Sequence, residues 1–383
     1  MSISIEDRKK VIIHTFQNGY FGHVILEKSL WSDLEEYICN YAASIKGETS
    51  LQDEMEKLHK NIWDFVNEHE LSKYPVAQEH KIKVQAWLNN ILGLGVLEHP
   101  LNDFKNDHTE EEFIFKTYER CYGEYVTLLE ENKSIFGHGT TGLTSWQGAL
   151  MLTDWFVINN KILKGKRIIE LGSGVGLLGI HLLKTCPDIL EYTFTDTHHN
   201  VLNFLNYNIH LNLTQTPSYK DSYASIMKNG PPTIITPSNN NSLIAYYRIQ
   251  KDNPEKDSVS LRKLDWNTGL PKYNLREFDV ILGSDIVYER SLIPPLVGVL
   301  KTAMDIDPKR RAYIACTERS QTTLDIFETE ILNNGLRYEI LYKGMYSPRE
   351  NILNSDVQHQ RTRIYEIQSV SSLPADENQS RTL

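Results

Sequence analysis

Three glycines and two acids near the middle of the chain have the residue types and the spacing of a ligand site. An apolar run that carries Glu170 is followed by Gly172, Gly174 and Gly176. Glycine adopts backbone angles that other residues avoid, and it lets a ligand approach the main chain closely. A second acid, Asp196, ends the next apolar run. A strand, a glycine turn and a second acid about 20 residues later are typical of a site for a nucleotide or an adenosyl group.

The glycine spacing distinguishes this site from a dinucleotide site. The dinucleotide pattern requires a third glycine where this chain has Leu177. Glu170 would also repel a pyrophosphate, whereas it can accept a hydrogen bond from an ammonium or a hydroxyl group. S-adenosylmethionine carries positive charge on its amino and sulfonium groups. We therefore predict S-adenosylmethionine as the cofactor, held by Glu170 and by a turn of Gly172, Ser173 and Gly174. Close packing of the next helix could by itself also require the glycines.

Further candidate residues stand at the ends of the next two apolar runs. Asp196 is predicted to bind the ribose hydroxyls, and it could at the same time cap the helix that follows. Asp265 and Trp266 follow the third run. An acid there can accept a hydrogen bond from the adenine amine, and an indole can stack on the ring or border its edge. We predict that Asp196, Asp265 and Trp266 all contact the cofactor.

The fourth apolar run ends with residues that could act on a methyl acceptor. Ser284 would border the cofactor, Asp285 could orient an incoming lysine amine and help its proton leave, and Tyr288 would shape the acceptor slot. Such help matters because deprotonating a lysine with a pKa of ~10.4 near pH 7 costs roughly 4 to 5 kcal/mol. Asp285 could instead cap the following loop. The Pro-Pro signature of enzymes that methylate planar amines is absent, and Cys316 is better explained by packing than as a nucleophile.

Composition limits the partners of the chain. Of its 383 residues 40% are hydrophobic, and its net charge is −10. Residues 1–133 hold 24 acidic against 14 basic residues, while the remainder is balanced. This distribution argues against a general nucleic-acid binder, and it suits docking onto a basic protein as well as it suits a solvated acidic face. Four scattered cysteines show no zinc spacing, and there is no signal peptide or membrane span, so we expect a cytoplasmic monomer without a metal.

The apolar pattern predicts the elements that must position these side chains. Seven strands are expected at 167–171, 192–195, 259–264, 278–283, 311–316, 336–342 and 361–368. Helices are expected near 146–158, 176–185, 198–212, 291–305 and 321–334. Alternating strands and helices imply a parallel sheet. The last two strands have no helix between them and should pair antiparallel.

The ends of the chain and one internal segment have a different character. Residues 1–133 are predicted to be helical throughout, with amphipathic stripes over 30–41, 50–69 and 76–92. Thr109 followed by Glu112 predicts a capped helix. Its apolar face would carry Phe113, Phe115, Tyr118, Tyr122, Tyr125 and Leu128. The polar stretch 214–257 is predicted to be a mobile insertion with a short ordered piece near 243–249, and 371–383 a disordered tail.

The chain resembles the eukaryotic elongation factor 2 lysine methyltransferase family. The resemblance is carried by Gly139-Thr140-Thr141-Gly142-Leu143-Thr144-Ser145-Trp146, Glu170-Leu171-Gly172-Ser173-Gly174, Leu264-Asp265-Trp266, Ser284-Asp285-Ile286-Val287-Tyr288 and Leu296-Val297-Gly298-Val299-Leu300. It implies an α/β class I methyltransferase Rossmann-like seven-stranded sheet, with its last strand antiparallel, in residues 134–370. A smaller acidic helical N-terminal region over 1–133 would precede it and dock the substrate.

The same resemblance implies roles for individual residues. Trp146, Glu170, Gly172, Asp196 and Trp266 would contact S-adenosylmethionine, while Asp285 and Tyr288 would lie near the incoming lysine. The chain departs from the family at Gln147, where an acid is usual. The implied activity is methylation of a lysine of elongation factor 2. The alternatives are a methyltransferase for another protein, an RNA or a small molecule, and a non-catalytic module that binds a translation factor.

Overall fold

The protein forms two compact units, which divide between Lys133 and Ser134. The computed structural model describes residues 8–9, 11–13, 16, 29–45, 51–70, 84, 88, 92, 113–119, 125–131, 140–213, 242–248, 258–269, 278–345 and 360–372. Those up to Glu131 belong to the first unit, and those from Thr140 onward belong to the second. No helix in these stretches has both the length and the apolar character needed to cross a membrane.

The first unit contains two amphipathic helices, α1 (Ser29–Ser44) and α2 (Leu51–Glu70). Of the predicted stripe residues whose side chains the structure describes, Tyr37 is 41% exposed, and the buried ones are Leu34, Ile38, Tyr41, Met55, Leu58 and Ile62. The core of this unit consists of Ile12, Phe16, Leu34, Ile38, Tyr41, Ile45, Met55, Leu58, Ile62, Val84, Leu88 and Leu92. Only three residues of the stripe over 76–92 are among those described.

The helix predicted after Thr109 is wrong, because this segment forms a β-hairpin. Strands β1 (Phe113–Glu119) and β2 (Tyr125–Glu131) pair antiparallel. The Thr117 hydroxyl lies 2.9 Å from that of Thr127, and Tyr118 donates a 2.7 Å hydrogen bond to Glu130. The aromatic spacing is compatible with a helix, but β-branched and aromatic residues favour strands and form cross-strand pairs. Thr109, Glu112 and Tyr122 lie outside the described residues.

The second unit alternates strands and helices close to the predicted boundaries. Its elements are α3 (Gln147–Ile158), β3 (Arg167–Leu171), α4 (Leu177–Thr185), β4 (Glu191–Asp196), α5 (His199–Leu213), β5 (Leu243–Arg248), β6 (Ser258–Lys263), β7 (Val280–Ser284), α6 (Ile293–Ile306), β8 (Arg311–Thr317), α7 (Gln321–Asn333), β9 (Leu336–Met345) and β10 (Arg361–Ser369). Strands β3, β7, β8 and β10 are largely buried, as in a sheet covered on both faces, whereas the edge strands β5 and β9 are mostly half-buried or exposed.

The central sheet has the strand order β5-β6-β4-β3-β7-β8-β10-β9. Strands β6, β4, β3, β7 and β8 are parallel, and β10 is antiparallel to both of its neighbours. The predicted fold and the antiparallel last strand are therefore confirmed. The predicted strand count was one too low, because Leu243–Arg248 adds an eighth, antiparallel edge strand. The rest of the polar stretch 214–257, and residues 373–383, lie outside the described residues.

The order of the strands determines where a ligand can bind. The chain runs outward from β3 through β4 and β6 on one side, and through β7 and β8 on the other. Ligands of such sheets bind beyond the carboxyl ends of the strands where the order reverses, here β3 and β7. Apolar residues of β3, β7, β8, α6 and α7 pack together in one core next to these two strand ends.

Candidate active site

The glycine turn after β3 is closely packed by the ends of neighbouring strands. Gly172, Gly174 and Gly176 have φ values of 62°, 53° and 96°, in the left-handed region that favours glycine. A Cβ atom on Gly172 would lie 2.8 Å from Ile286 Cγ2 and 3.5 Å from the indole of Trp266. The turn therefore requires glycine, and it brings the ends of β3, β6 and β7 to one place.

The side chain of Ser173 fastens this turn to the next strand. Its hydroxyl accepts a 3.1 Å hydrogen bond from the Thr195 N–H, and its own N–H donates to the Thr195 carbonyl at 2.8 Å. Ser173 is 7% exposed. The Ser173 carbonyl also accepts a 2.9 Å hydrogen bond from the Gly176 N–H, so the contact of Ser173 with a cofactor stays a prediction.

Glu170 lies in the core beneath the turn. It is 1% exposed, and its Oε2 accepts a 2.8 Å hydrogen bond from the Tyr192 hydroxyl. Burial raises the pKa of Glu170 to about 8, although the hydrogen bond from Tyr192 favours the charged form. Its direct contact with a cofactor stays a prediction. The atom that could make this contact is Oε1, a buried oxygen without a hydrogen-bond partner.

Asp196, at the end of β4, faces the glycine turn. Its Oδ2 accepts from the Gly174 N–H at 3.2 Å, and its Oδ1 accepts from the N–H groups of Thr197 (2.8 Å) and His198 (3.2 Å). Burial raises the pKa of Asp196, while these three backbone hydrogen bonds oppose the shift. A carboxylate offers about four acceptor positions, so one remains for a ligand hydroxyl.

The two residues after β6 contribute in different ways. Trp266 begins the 3-10 helix Trp266–Thr268 and packs against the core at the end of β7, next to Gly172. Asp265 caps this short helix, because its carboxylate accepts from the backbone N–H and the side-chain amide of Asn267 at 2.9 and 3.0 Å. The geometry thus places Trp266 at the turn, and it gives Asp265 a structural role that the sequence analysis does not predict.

Asp285 connects three segments of the chain. Its backbone has a φ of 52°, the only positive value among the non-glycine residues that the structure describes. Its carboxylate is 2% exposed and accepts hydrogen bonds from the Gly148 N–H (2.7 Å), the Thr317 N–H (2.7 Å) and the Thr317 hydroxyl (2.9 Å). The Arg319 Nη2 atom lies 3.7 Å from its Oδ2. Both oxygens are therefore occupied by groups of the protein itself.

This environment gives Asp285 a structural role. Gly148 is the second residue of α3, and Trp146 at the N-cap makes no capping bond with its side chain. Asp285 supplies the missing acceptor, so it caps α3 across the fold and not the loop that follows it. A Cβ on Gly148 would lie 2.8 Å from Asp285 Oδ2. The action of Asp285 on an acceptor amine stays a prediction.

Ser284 and Tyr288 lie on either side of Asp285. Ser284 ends β7, where it pairs with Ala315 of β8 and is half-buried. Tyr288 is 45% exposed, beyond the carboxyl end of the strand. An exposed aromatic ring at this position is available to a second molecule, as the predicted acceptor slot requires.

Trp146 holds a loop against the glycine turn. Its indole N–H donates a 2.9 Å hydrogen bond to the Thr141 carbonyl. A Cβ on Gly174 would lie 3.2 Å from the Gly142 carbonyl oxygen, so this loop lies directly on the turn. The neighbouring Gln147, where the family has an acid, donates to the Gln360 carbonyl at 2.5 Å and to the Thr362 hydroxyl at 2.8 Å. Gln147 therefore connects α3 to the start of β10.

A comparison with models of protein families identifies the family of this chain. A model described as lysine methyltransferase matches residues 135–223 and 223–331, which is more than half of the chain. The chain belongs to the lysine methyltransferase family. The resemblance found in the sequence is thereby confirmed.

Several relatives of this lysine methyltransferase carry the name protein-lysine N-methyltransferase EEF2KMT. The mouse protein is 31% identical over 70% of this chain and 74% of its own length. The human protein is 26% identical over 86% and 90%, respectively. The bovine protein is 34% identical over 57% of this chain, and the match spans 58% of the bovine protein.

The methyl donor of this family is S-adenosylmethionine. Three features of the chain fit it: the remaining acceptor position of Asp196, the indole of Trp266 beside Gly172, and the buried Oε1 of Glu170, which has no hydrogen-bond partner. The individual contacts of these residues with the cofactor stay predictions.

The sequence analysis did not find all residues that build the site. Arg319, Gly148 and Thr317 all contact Asp285, and none of them stands in a recognisable motif. Thr317 ends β8 and Arg319 follows two residues later. Their position at the carboxyl end of the parallel strand β8 is the one sequence signal for Thr317 and Arg319. Cys316, at the same strand end, is 1% exposed and packs in the core.

Proposed function

We propose that this protein transfers a methyl group from S-adenosylmethionine to a lysine side chain of elongation factor 2. One arrangement carries the proposal. The glycine turn, Asp196, Trp266 and Tyr288 each follow the carboxyl end of a parallel strand, and these strands are neighbours in the sheet. The donor site and the exposed ring of Tyr288 thus share one edge, as transfer between two bound molecules requires.

The substrate part of the proposal is supported by the relatives. The name of the mouse, human and bovine proteins identifies them as protein-lysine methyltransferases, and elongation factor 2 as substrate follows from that name. The acidic composition of residues 1–133 suits docking onto a basic protein surface. We also propose that the enzyme acts as a monomer in the cytoplasm, where the translation factor is found.

In the proposed reaction, each of these residues has a separate role. S-adenosylmethionine supplies an electrophilic methyl group when it is bound. Gly172 allows the sharp turn at the donor site, and Asp196 accepts from the ribose hydroxyls. Trp266 borders the adenine, and Tyr288 covers the lysine side chain and keeps water away from it. Asp285 holds α3 and the end of β8 in place, so that these groups keep their positions.

The lysine amine must lose its proton before it can attack. This costs roughly 4 to 5 kcal/mol near pH 7 for a lysine with an ordinary pKa. The carboxylate of Asp285 already accepts three hydrogen bonds and pairs with Arg319, and in this proposal it does not take the proton. We propose that the slot beside Tyr288 favours the neutral amine by excluding water, and that the proton leaves to solvent.

A transfer assay tests the proposal directly. Purified elongation factor 2 is incubated with the enzyme and with S-adenosylmethionine carrying a labelled methyl group. We expect label in elongation factor 2, and mass spectrometry of its peptides should locate the label on a lysine. Replacing that lysine by arginine should remove the signal. A bound donor without transfer to elongation factor 2 would disprove the proposed substrate.

A pair of glycine variants ties the assay to the candidate site. In Gly172→Ala the new Cβ would contact Ile286 at 2.8 Å, at a φ of 62° that strains any L residue. We expect at least tenfold weaker donor binding and a matching loss of transfer at low donor concentration. Gly298→Ala introduces the same methyl group in α6, where nothing lies within 4 Å, and should leave both unchanged. Equal behaviour of the two variants would contradict the location of the site.

A further inference from the structure

Arg319 lies between a ring and a carboxylate at the edge of the site. Its guanidinium carbon is 4.6 Å from the centroid of the Trp146 ring, and its Nη2 is 3.7 Å from Asp285 Oδ2. A guanidinium over an indole face is attracted by the ring and packs flat against it. One side chain thus contacts the segment that precedes α3 and the strand end that precedes Tyr288.

Trp146 connects Arg319 to the loop that contacts the glycine turn. Its indole N–H holds the Thr141 carbonyl, and the same loop lies on the turn where Gly142 approaches Gly174. Gly142 itself donates a 3.1 Å hydrogen bond to the Thr140 hydroxyl, which keeps the loop compact. A group that holds the Trp146 ring therefore also holds the loop that borders the predicted cofactor site.

The ion pair alone does not explain the position of Arg319. The Arg319 side chain is 38% exposed and 3.7 Å from Asp285, so solvent screens this ion pair and it adds little to stability. Asp285 is already held by three shorter hydrogen bonds from Gly148 and Thr317. Removing Arg319 should therefore leave the fold intact. Among the described residues, Arg319 is the one cation that lies over the Trp146 ring.

We propose that Arg319 is a positioning residue that holds Trp146, and with it the loop 140–146, against the glycine turn, and that it thereby sets the affinity for the methyl donor. This inference rests on the proposed use of the site for S-adenosylmethionine. Arg319 need not touch the donor, since it acts through the indole. The carboxylate of Asp285 balances its charge, so that a positively charged donor is not repelled.

Calorimetric titration with S-adenosylmethionine tests the inference on the full chain. Arg319→Ala should weaken donor binding about fivefold to tenfold while the urea unfolding midpoint stays within error of the unchanged protein. Arg319→Lys keeps the charge next to Asp285 but lacks the planar group, so it should restore less than half of the loss in binding free energy. Arg361→Ala removes an exposed arginine from the adjoining strand β10 and should have no effect.

A double substitution identifies the partner of Arg319. In a Trp146→Ala background, Arg319→Ala should cause no further loss of donor affinity, because the ring through which it acts is absent. In steady-state assays Arg319→Ala should raise KM for the donor and leave kcat within twofold. Unchanged affinity in Arg319→Ala, or an undiminished effect in the Trp146→Ala background, would overturn the inference. Failure of the unsubstituted protein to bind the donor would instead overturn the proposed function.

Discussion

The backbone N–H of Gly148 donates a 2.7 Å hydrogen bond to Asp285, a residue 137 positions later in the chain. This bond satisfies one of the N–H groups that the first turn of α3 leaves without a partner. It also places a negative charge at the positive end of the helix dipole. The acid that the sequence offers as a catalytic group therefore has a structural task that geometry alone reveals.

Replacing Asp285 by alanine should unfold the protein more easily as well as stop methyl transfer. The change removes the acceptor of three buried hydrogen bonds and leaves Arg319 without its carboxylate. Breaking such a buried network costs about 3 to 5 kcal/mol. Urea unfolding followed by circular dichroism measures this loss. Asp265→Ala removes an exposed cap and should cost only about 1 kcal/mol. An Asp285→Ala protein of normal stability and no activity would instead support the catalytic role predicted from the sequence.

Replacing Tyr288 by alanine should reduce transfer without reducing donor binding. The ring is 45% exposed beyond the end of β7, so its loss leaves the core intact. Loss of an aromatic wall of the acceptor slot should lower kcat/KM for elongation factor 2 by about 10- to 100-fold, which corresponds to about 1.4 to 2.8 kcal/mol. Tyr246→Ala removes a ring that is 52% exposed on the edge strand β5, and it serves as the matched control. Tyr288→Ala with full kcat/KM would exclude Tyr288 from the acceptor slot.

The fold was predictable where the signal is local. Apolar runs and the helices between them place most boundaries of the central sheet within two residues of those observed. The hairpin Phe113–Glu131 was not predictable in this way, because its aromatic spacing fits a helix face and its stability comes from cross-strand pairs. The edge strand Leu243–Arg248 was recognisable only as a short ordered piece, because its pairing with β6 depends on the sheet already being formed.

The candidate site was predictable in outline and not in the direction of its side chains. Parallel strands bring their carboxyl ends to one edge, so the order of Glu170, Asp196 and Asp285 along the chain predicts that they stand at neighbouring strand ends. Whether a carboxylate faces a ligand or the core depends on partners that are distant in sequence. Tyr192 takes up one oxygen of Glu170, and Gly148 one of Asp285. Asp196 keeps an acceptor position at the turn, and Glu170 keeps only its buried Oε1.

Acid should weaken the binding of the methyl donor through Asp196. Its ionised carboxylate accepts three backbone hydrogen bonds and is predicted to accept from the ribose as well. Because burial raises its pKa, protonation begins at a higher pH than for an exposed aspartate, and each protonated molecule loses an acceptor. Affinity should therefore fall as the pH is lowered.

Calorimetric titrations between pH 8 and pH 5 measure this dependence. Asp196→Asn should bind the donor weakly at every pH and show a flatter profile. Asp305→Asn, which alters an exposed acid near the end of α6, should keep the profile of the unchanged protein. The same acid dependence in Asp196→Asn would contradict the assignment.

The stability of the second unit should depend on pH through Glu170. Burial raises the pKa of this carboxyl to about 8, while it is close to 4.5 in the unfolded chain. Between these two values the folded state holds a proton that the unfolded state lacks, so stability falls as the pH rises and levels off above the folded pKa. The loss due to this one group is at most roughly 5 kcal/mol.

Glu170→Gln removes this dependence, because glutamine keeps a similar shape and carries no charge. Relative to the unchanged protein, the variant should gain stability steadily from pH 5 to pH 8, by about 1 kcal/mol or more over the range. Urea unfolding of both proteins at several pH values gives the difference directly, and the titration of other groups cancels in it. Tyr192→Phe is the complementary variant: it removes the hydrogen bond that favours the charged form, so it should steepen the loss of stability with pH. A constant difference between Glu170→Gln and the unchanged protein would mean that Glu170 is ionised in the core throughout.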